Sequence, residues 1–480
     1  MASNSLAKAS SAVESPPNRF YRTVWRWHFY AGLFVIPFML VLATTGIIYL
    51  FKPQLDALMY HPQMFVQQKG VMLPYTQQLE AASIAYPDAN VSKFTPNIAP
   101  NRSAEVTVTY SDERNLTVFV NPYTGKILGD RDEDKNLQSV ARKIHSELMI
   151  GKLGDYLVEL AACWGLVLLI TGLYLWLPRN RFTVLGTLIP RLWSKNKRVF
   201  WRDLHAVAGF YGVLLVGFLI LTGLPWSGFW GHTFAQVWSQ FPPMWAEAPQ
   251  STVLTGSLNQ HGQVVPWAVE QLPMPQSSTS GHEHHAGQGG AGSTTSVEGV
   301  PPGTPVNLDS IVALAQAKGA PPGFSVSLPE GKTGVYTVSA FPNDPTQEMT
   351  MHIDRYSGKV LADIRWQDYG LVPKVVEMGV AIHMGKYFGL ANQLLMLFAC
   401  LIVITLCVSG AVMWWQRRPK QPGSIGAPAL PPYVEQWRVP LAIVAVLGIV
   451  FPLVGLSLVI VLLLDYFVLS RIPALKRIFN

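Results

Sequence analysis

Four long apolar stretches, at about 27–51, 157–177, 204–226 and 388–416, limit what this chain can become. Each is long enough as a helix to cross a hydrocarbon core about 30 Å thick. With 49% of residues hydrophobic and 14% charged, the chain reads as a polytopic membrane protein. A fifth apolar region, about 439–469, is broken near its middle by Pro452 and Gly455 and flanked by Arg438, Arg471, Lys476 and Arg477. It predicts a shallow membrane hairpin or a tilted fifth span.

The net charge of +7 does not describe a nucleic-acid binder, because of where the charge lies. Arg19, Arg22 and Arg26 precede the first stretch. Arg179, Arg181, Arg191, Lys195, Lys197, Arg198 and Arg202 crowd one short loop, and Arg417, Arg418 and Lys420 follow the fourth stretch. The long segments 52–156 and 227–387 mix both signs. This is the positive-inside pattern, with the N-terminus and short loops cytoplasmic and both long segments outside. The surplus cations therefore meet lipid headgroups, and no nucleic acid is expected as a partner. Cys163, Cys400 and Cys407 all fall within apolar stretches, so they read as small packing residues rather than disulfide partners or metal ligands. The first stretch is too long for a signal-peptide core and reads as an uncleaved anchor.

A repeated frame then organises the chain. Measured from His145, Gly151, Gly172, Trp176 and Arg179 fall at +6, +27, +31 and +34; measured from His383, Gly389, Gly410, Trp414 and Arg417 fall at the same offsets. A second frame pairs His28-x-x-Ala-Gly32 with His205-x-x-Ala-Gly209, and Thr45-Gly46 with Thr222-Gly223. Between the spans, Pro74-Tyr75-Thr76 leads into a helical pattern (Leu79, Ala82, Ala85) and then strands near 91–98, 104–110 and 115–121, closing on Tyr123-Thr-Gly125-Lys126-Ile-Leu-Gly-Asp130. The order returns as a helix near 308–318, strands near 324–328, 334–341 and 348–354, and Tyr356-Ser-Gly358-Lys359-Val-Leu-Ala-Asp363. The chain reads as span, α+β module, span, twice over. Because each unit holds two spans, the copies are parallel, and equivalent His residues lie at equal depth.

The implied divisions are a disordered N-terminus (1–18), a first span (19–52), an exported module (53–144), a second span with its His (145–178) and a basic loop (179–200). A third span (201–227) leads to an exported segment (228–382) that holds a Pro/Gly/Ser-rich linker (273–304) and a module (305–366). A fourth span with its His (383–417), a loop (418–438) and the hairpin or fifth span with a basic tail (439–480) complete it.

Of eleven His, four occupy the frames: His28, His205, His145 and His383. A single His at a helix end ordinarily snorkels or donates a hydrogen bond. Four at duplicated positions, paired by depth, suit bis-axial ligation of two haem irons. Zinc is the weaker reading, because it needs three or four ligands close together. Gly32, Gly209, Gly151, Gly154 and Gly389 allow either a porphyrin or a neighbouring helix to approach the backbone. Arg26, Arg202, Arg142, Lys143 and Lys386 stand near the four His as partners for haem propionates or lipid headgroups. Trp176 and Trp414 read as interface residues rather than an electron relay. His282, His284 and His285 read as solvated linker, and His61, His232, His261 and His352 as structural. There is no Gly-rich nucleotide fingerprint after a strand, no nucleophile elbow and no HExxH.

The Trp-Arg and His-x-x-Ala-Gly elements, the Tyr-[Thr/Ser]-Gly-Lys-[Ile/Val]-Leu turn, and Ile-His ahead of a run ending Thr-Gly-Leu-Tyr-Leu-Trp-Leu-Pro-Arg resemble the PepSY-associated transmembrane family over nearly all of 19–480. Within that family the chain is similar to the bacterial inner-membrane di-haem ferric-siderophore reductases. The resemblance implies periplasmic PepSY modules and two haem b groups ligated by His28, His205, His145 and His383. It also implies reduction of Fe(III)-siderophore to weakly held Fe(II) in the periplasm, with electrons from a cytoplasmic or quinol donor. The alternatives are a PepSY-based membrane-anchored binding or regulatory protein, and a di-haem cytochrome with another acceptor (copper, a quinone or a partner protein).

Overall fold

The computed structural model describes residues 16–178, 183–238, 250–261, 265–278, 304–419, 425–428, 438–469, 471–473, 475 and 478. The helices used below are, in chain order, α1 (Pro16–Leu50), α2 (Lys52–Met59), α3 (Tyr75–Ala85), α4 (Leu137–Glu147), α5 (Lys152–Trp176), α6 (Lys197–Gly223), α7 (Trp230–Trp238), α8 (Leu308–Ala317), α9 (Leu371–His383), α10 (Gly389–Arg417), α11 (Arg438–Val450) and α12 (Pro452–Leu464). The chain divides into two compact units. One holds Met1–Thr44, Ile150–Leu224 and Ala399–Asn480; the other holds Thr45–Met149 and Pro225–Phe398.

Among the described residues, five helices are long and apolar enough to cross a membrane: Phe20–Leu50, Lys152–Trp176, Lys197–Trp226, Gly389–Arg417 and Pro452–Leu469. In the first unit they meet through small residues, as expected where no hydrophobic force separates helix from lipid. A Cβ on Gly165 would lie 2.8 Å from Met39 Cε, and one on Gly212 only 2.5 Å from Ile402 Cγ2. The C-terminal apolar region is two helices separated at Phe451, and a Cβ on Gly448 would lie 3.1 Å from the Gly455 backbone. Trp164 Nε1 donates to Ser457 Oγ at 3.2 Å, joining α12 to α5. The expected disordered segment 1–18 is helical from Pro16, and residues 1–15 lie outside the described residues.

The second unit corrects the expectation of two separate modules. Strands β1 (Asn90–Thr95), β2 (Ala104–Thr109), β3 (Asn115–Val120) and β4 (Ile127–Asp132) form one antiparallel meander. β5 (Gln250–Leu254) and β6 (Pro273–Pro275) pair separately. β7 (Ser325–Ser327), β8 (Val335–Ala340), β9 (Met349–Asp354) and β10 (Val360–Arg365) form the second meander. β1 and β7 pair antiparallel, with Phe94 opposite Val326 and Lys93 opposite Ser327, giving one eight-stranded sheet in the order β10-β9-β8-β7-β1-β2-β3-β4. Two open edges are thereby removed, which relieves the hazard of unpaired strands.

The period-2 pattern sets the faces. In β2, Ala104, Val106 and Val108 are fully buried in one core with Phe94, Val118, Ile311, Leu314, Val338, Met351 and Ile353. Each of these side chains larger than alanine contributes roughly 1.5–3 kcal/mol on burial. The helices α3 and α8 cover that face and are tied end to end. Asp309, in the first turn of α8, accepts from Tyr75 N at 2.6 Å and from Thr76 at the start of α3. A carboxylate suits that place because it faces unpaired N–H groups and the positive end of the helix dipole. The supposed linker also begins in ordered chain. Pro273–Pro275 is β6, and Ser277 Oγ donates to Gly334 O at 2.8 Å. His282, His284 and His285 lie outside the described residues.

Candidate functional site

His28 on α1 and His205 on α6 face each other in the first unit, with ring centroids 6.4 Å apart and ring planes at 89°. His28 Nδ1 lies 2.9 Å from Thr171 Oγ1 on α5, and His205 Nδ1 lies 2.9 Å from Ser409 Oγ on α10. Each hydroxyl already donates its one proton to its own helix backbone, Thr171 to Val167 O at 2.7 Å and Ser409 to Thr405 O at 2.5 Å. Toward the imidazole it can therefore only accept. The network assigns the proton to Nδ1 in both rings, which leaves the Nε2 lone pairs bare. That is the tautomer of a metal-ligating His whose other nitrogen is oriented by a hydrogen bond.

The two rings open on a cavity of about 680 Å³ lined by α1, α5, α6 and α10. The glycine after each hydroxyl makes room for the ring. A Cβ on Gly172 would lie 3.2 Å from His28 Cε1, and one on Gly410 3.5 Å from His205 Cε1. Gly32 and Gly209 also line the cavity. Trp176 stacks on Phe210 at 3.9 Å and donates Nε1–H to Thr187 O at 2.9 Å; Trp414 donates to Ile425 O at the same distance. Both tryptophans line the cavity while fastening the chain that follows.

The cations differ from expectation. Arg26 does not line the cavity; its Nη1 donates to Pro428 O at 2.6 Å, and its guanidinium lies 5.1 Å from the Tyr30 ring. Arg202 lines the cavity but shares the buried Asp203 carboxylate with Arg191, at 2.8 and 2.6 Å. Arg198 and Arg417 also line it, and Arg417 lies over the Trp25 ring at 4.8 Å. Neither was singled out for the site from sequence, although Arg417 holds the +34 place in the frame.

His145 and His383 belong to the second unit and close short helices of their own, α4 and α9. His145 Nδ1 lies 3.1 Å from Thr45 Oγ1, another hydroxyl before a glycine. The sequence offered a signal here: each framed His is matched by a hydroxyl–Gly dipeptide at fixed spacing, read only as a register mark. Gly151 and Gly389 both stand where the chain turns. Their φ values are 62° and 59°, and nothing lies within 4 Å of a Cβ built on either. Lys143 pairs with Asp134 at 2.7 Å, and Lys386 lies 4.3 Å from the Phe341 ring.

Behind His383, the same helix buries an acid. Glu377 Oε1 accepts from Ala268 N at 3.0 Å, while its Oε2 and Glu348 Oε2 are buried without a hydrogen-bond partner among the described residues. Burial pushes the Glu377 carboxyl up to about 7 and, with the charge of Glu377 beside it, Glu348 up to about 10. Burial likewise draws Lys386 down to about 8.

Among the described residues no three His, Cys, Asp or Glu converge to hold a bare metal ion. A two-imidazole site asks for a metal that brings its remaining ligands with it. The fold defines a multi-pass membrane protein carrying a separate β-sheet unit. The chain belongs to the PepSY-associated TM region family, which matches residues 25–417. Comparison with curated proteins found no match.

Proposed function

We propose that this chain is a bacterial inner-membrane electron-transfer protein with two haem b groups, which passes one electron at a time from a cytoplasmic or quinol donor, oxidised in the exchange, to ferric siderophore in the periplasm, so that iron is released as Fe(II). The observation that carries the reading is the His28–His205 arrangement across a ligand-sized cavity. Imidazole nitrogens bind a metal at about 2 Å, so two rings sharing one ion have centres roughly 6 Å apart, and these stand at 6.4 Å. The volume of about 680 Å³ lies within the usual range for cofactor sites. A haem iron held by His28 and His205 would supply one-electron transfer.

The chain's own residues prepare that site. Thr171 and Ser409 hold Nδ1–H and aim Nε2 into the cavity, Gly172 and Gly410 clear space for the rings, and Arg198, Arg202 and Arg417 offer guanidinium groups to carboxylates. His145 and His383, at equal places in the repeated frame, are proposed to hold the second group on the periplasmic side. The parallel duplication of the chain, which supplies one His of each pair from each half, belongs to this reading. A siderophore grips Fe(III) through hard oxygens, and one added electron makes the ion softer and more labile.

The test is a visible spectrum of the purified protein with haem quantification, then reoxidation of the dithionite-reduced protein by ferric chelates. Reduced b-type bands at about two haems per chain, reoxidised by ferric siderophore, are expected. A colourless preparation overturns the reading and favours a membrane-anchored PepSY binding protein. Haem that ferric chelates do not reoxidise, but copper, a quinone or a partner protein does, changes the acceptor.

A further inference from the structure

We infer that α7 and α9 form a membrane-resting face that seats in the headgroup boundary of the lipid bilayer. The nine residues of α7 contain no Asp, Glu, Lys or Arg. One side of α7 is spoken for: Phe234 and Ala235 pack with Trp267 and with Val372 and Val376 of α9. The outward side is apolar as well. Val237 is 59% exposed and Trp238 44%, and Trp226 and Phe229 just before the helix are 41% and 42% exposed. On α9, Leu371 and Val375, one turn apart, are 78% and 63% exposed. Six large apolar side chains on the outside of one helix pair, itself packed through an apolar seam, mark a contact surface rather than ordinary scatter.

Chain continuity says what the surface meets. Trp226 is the last residue of the apolar helix Lys197–Trp226, and three residues separate it from α7, a reach of at most about 14 Å. At its other end the pair is equally tethered: α9 stops at His383, and the apolar helix Gly389–Arg417 begins six residues on. A surface so close to two membrane-length helices meets lipid. Its chemistry agrees, because Trp and Phe favour the interface between headgroup and acyl chain. Between Trp226 and Trp238 no acidic residue opposes anionic headgroups. Lys374, on the exposed stretch of α9, lies 5.9 Å from the Trp366 ring and donates one Nζ–H to Gln367 O at 3.3 Å, which leaves the ammonium two further donors for a phosphate. The inference is independent of whether the cavity binds a porphyrin.

Nitroxide labels at Val237→Cys and Val375→Cys test it, with Ile84→Cys on α3, 73% exposed, as the control. The three native cysteines are buried and leave the introduced thiol as the reactive one. The whole protein is reconstituted in phosphatidylcholine–phosphatidylglycerol vesicles, and each label is relaxed by oxygen, which partitions into lipid, or by a nickel chelate, which stays in water. Oxygen is expected to dominate at 237 and 375 and the chelate at 84. Dominance of the chelate at 237 and 375 overturns the inference. Exclusion of both reagents there also overturns it, because it means a protein partner or a second copy covers the face.

Discussion

His28 and His205 sit well inside long apolar helices, whereas His145 and His383 close short helices, each followed by a turn with a positive-φ glycine. The first pair is set by helix packing: a ring, a hydroxyl one helix away and a missing Cβ. The second belongs to the sheet-bearing unit, so its setting depends on short helices, turns and buried acids. The contrast teaches that one pattern of His and hydroxyl–Gly can be carried by two kinds of scaffold. The one built from spans is bordered by guanidinium groups; the other encloses carboxyl groups.

The largest effect expected is on cofactor content. His28→Ala and His205→Ala should each remove the same single group, leaving about one haem per chain, and His383→Ala should remove the other alone. Haem extraction and quantification decides it. Loss of both groups, or of neither, in any one variant breaks the pairing and the comparison with it.

The next effect lies in pH dependence and should touch the sheet-bearing unit. Glu377 has a folded value raised to about 7, above that of an unfolded carboxyl, so the folded state binds the extra proton. Its contribution is present in acid and lost as pH rises through about 7. The shift corresponds to something on the order of 3 kcal/mol. His352, held down to about 4 by burial, works in the opposite direction below neutrality, so wild type is compared with Glu377→Gln, which removes this carboxyl together with its effect on Glu348 and Lys386. Thermal unfolding between pH 5 and 8 (roughly the window in which such groups titrate) should show the variant losing less stability than wild type. Equal slopes contradict this account.

Smaller again is the loss of an orienting hydroxyl. Thr171→Val and Ser409→Ala keep most of the side-chain volume but free Nδ1, and about 10- to 100-fold weaker haem retention is expected of each. Unchanged retention in a haem-transfer assay to apomyoglobin sinks the tautomer argument. The smallest difference separates the two glycines. Gly172→Ala, whose Cβ would stand 3.2 Å from His28 Cε1, should perturb the spectrum more than Gly410→Ala at 3.5 Å. The reverse order would mean that the rings are not confined there.

The spans, the helix-and-strand order of each module and the Thr/Ser-Gly dipeptides were legible because hydrophobic period and turn chemistry are local. The joining of β1 to β7 was not, because nothing in Asn90–Thr95 or Ser325–Ser327 says which foreign strand an edge will accept. The hydroxyls at Thr171 and Ser409 were visible as spacing, but their partners lie on other helices, and only packing reveals the pairing. The place of Arg26 was not legible, because proximity in sequence to His28 does not fix where a long side chain points; its guanidinium reaches the Pro428 carbonyl. Glu348 and Glu377 gave no sequence signal, since nothing about a Glu just before a strand, or one on an amphipathic helix, announces that it will be enclosed.

The β1–β7 seam has a mechanical consequence. Solute carriers built from repeated halves work by letting one half rock against the other. Here the β1–β7 hydrogen bonds stitch a meander from early in the chain to one from late in it, so the two meanders cannot slide apart without unravelling the sheet. Such a frame favours cargo that needs no gate, and an electron is the smallest cargo of that kind.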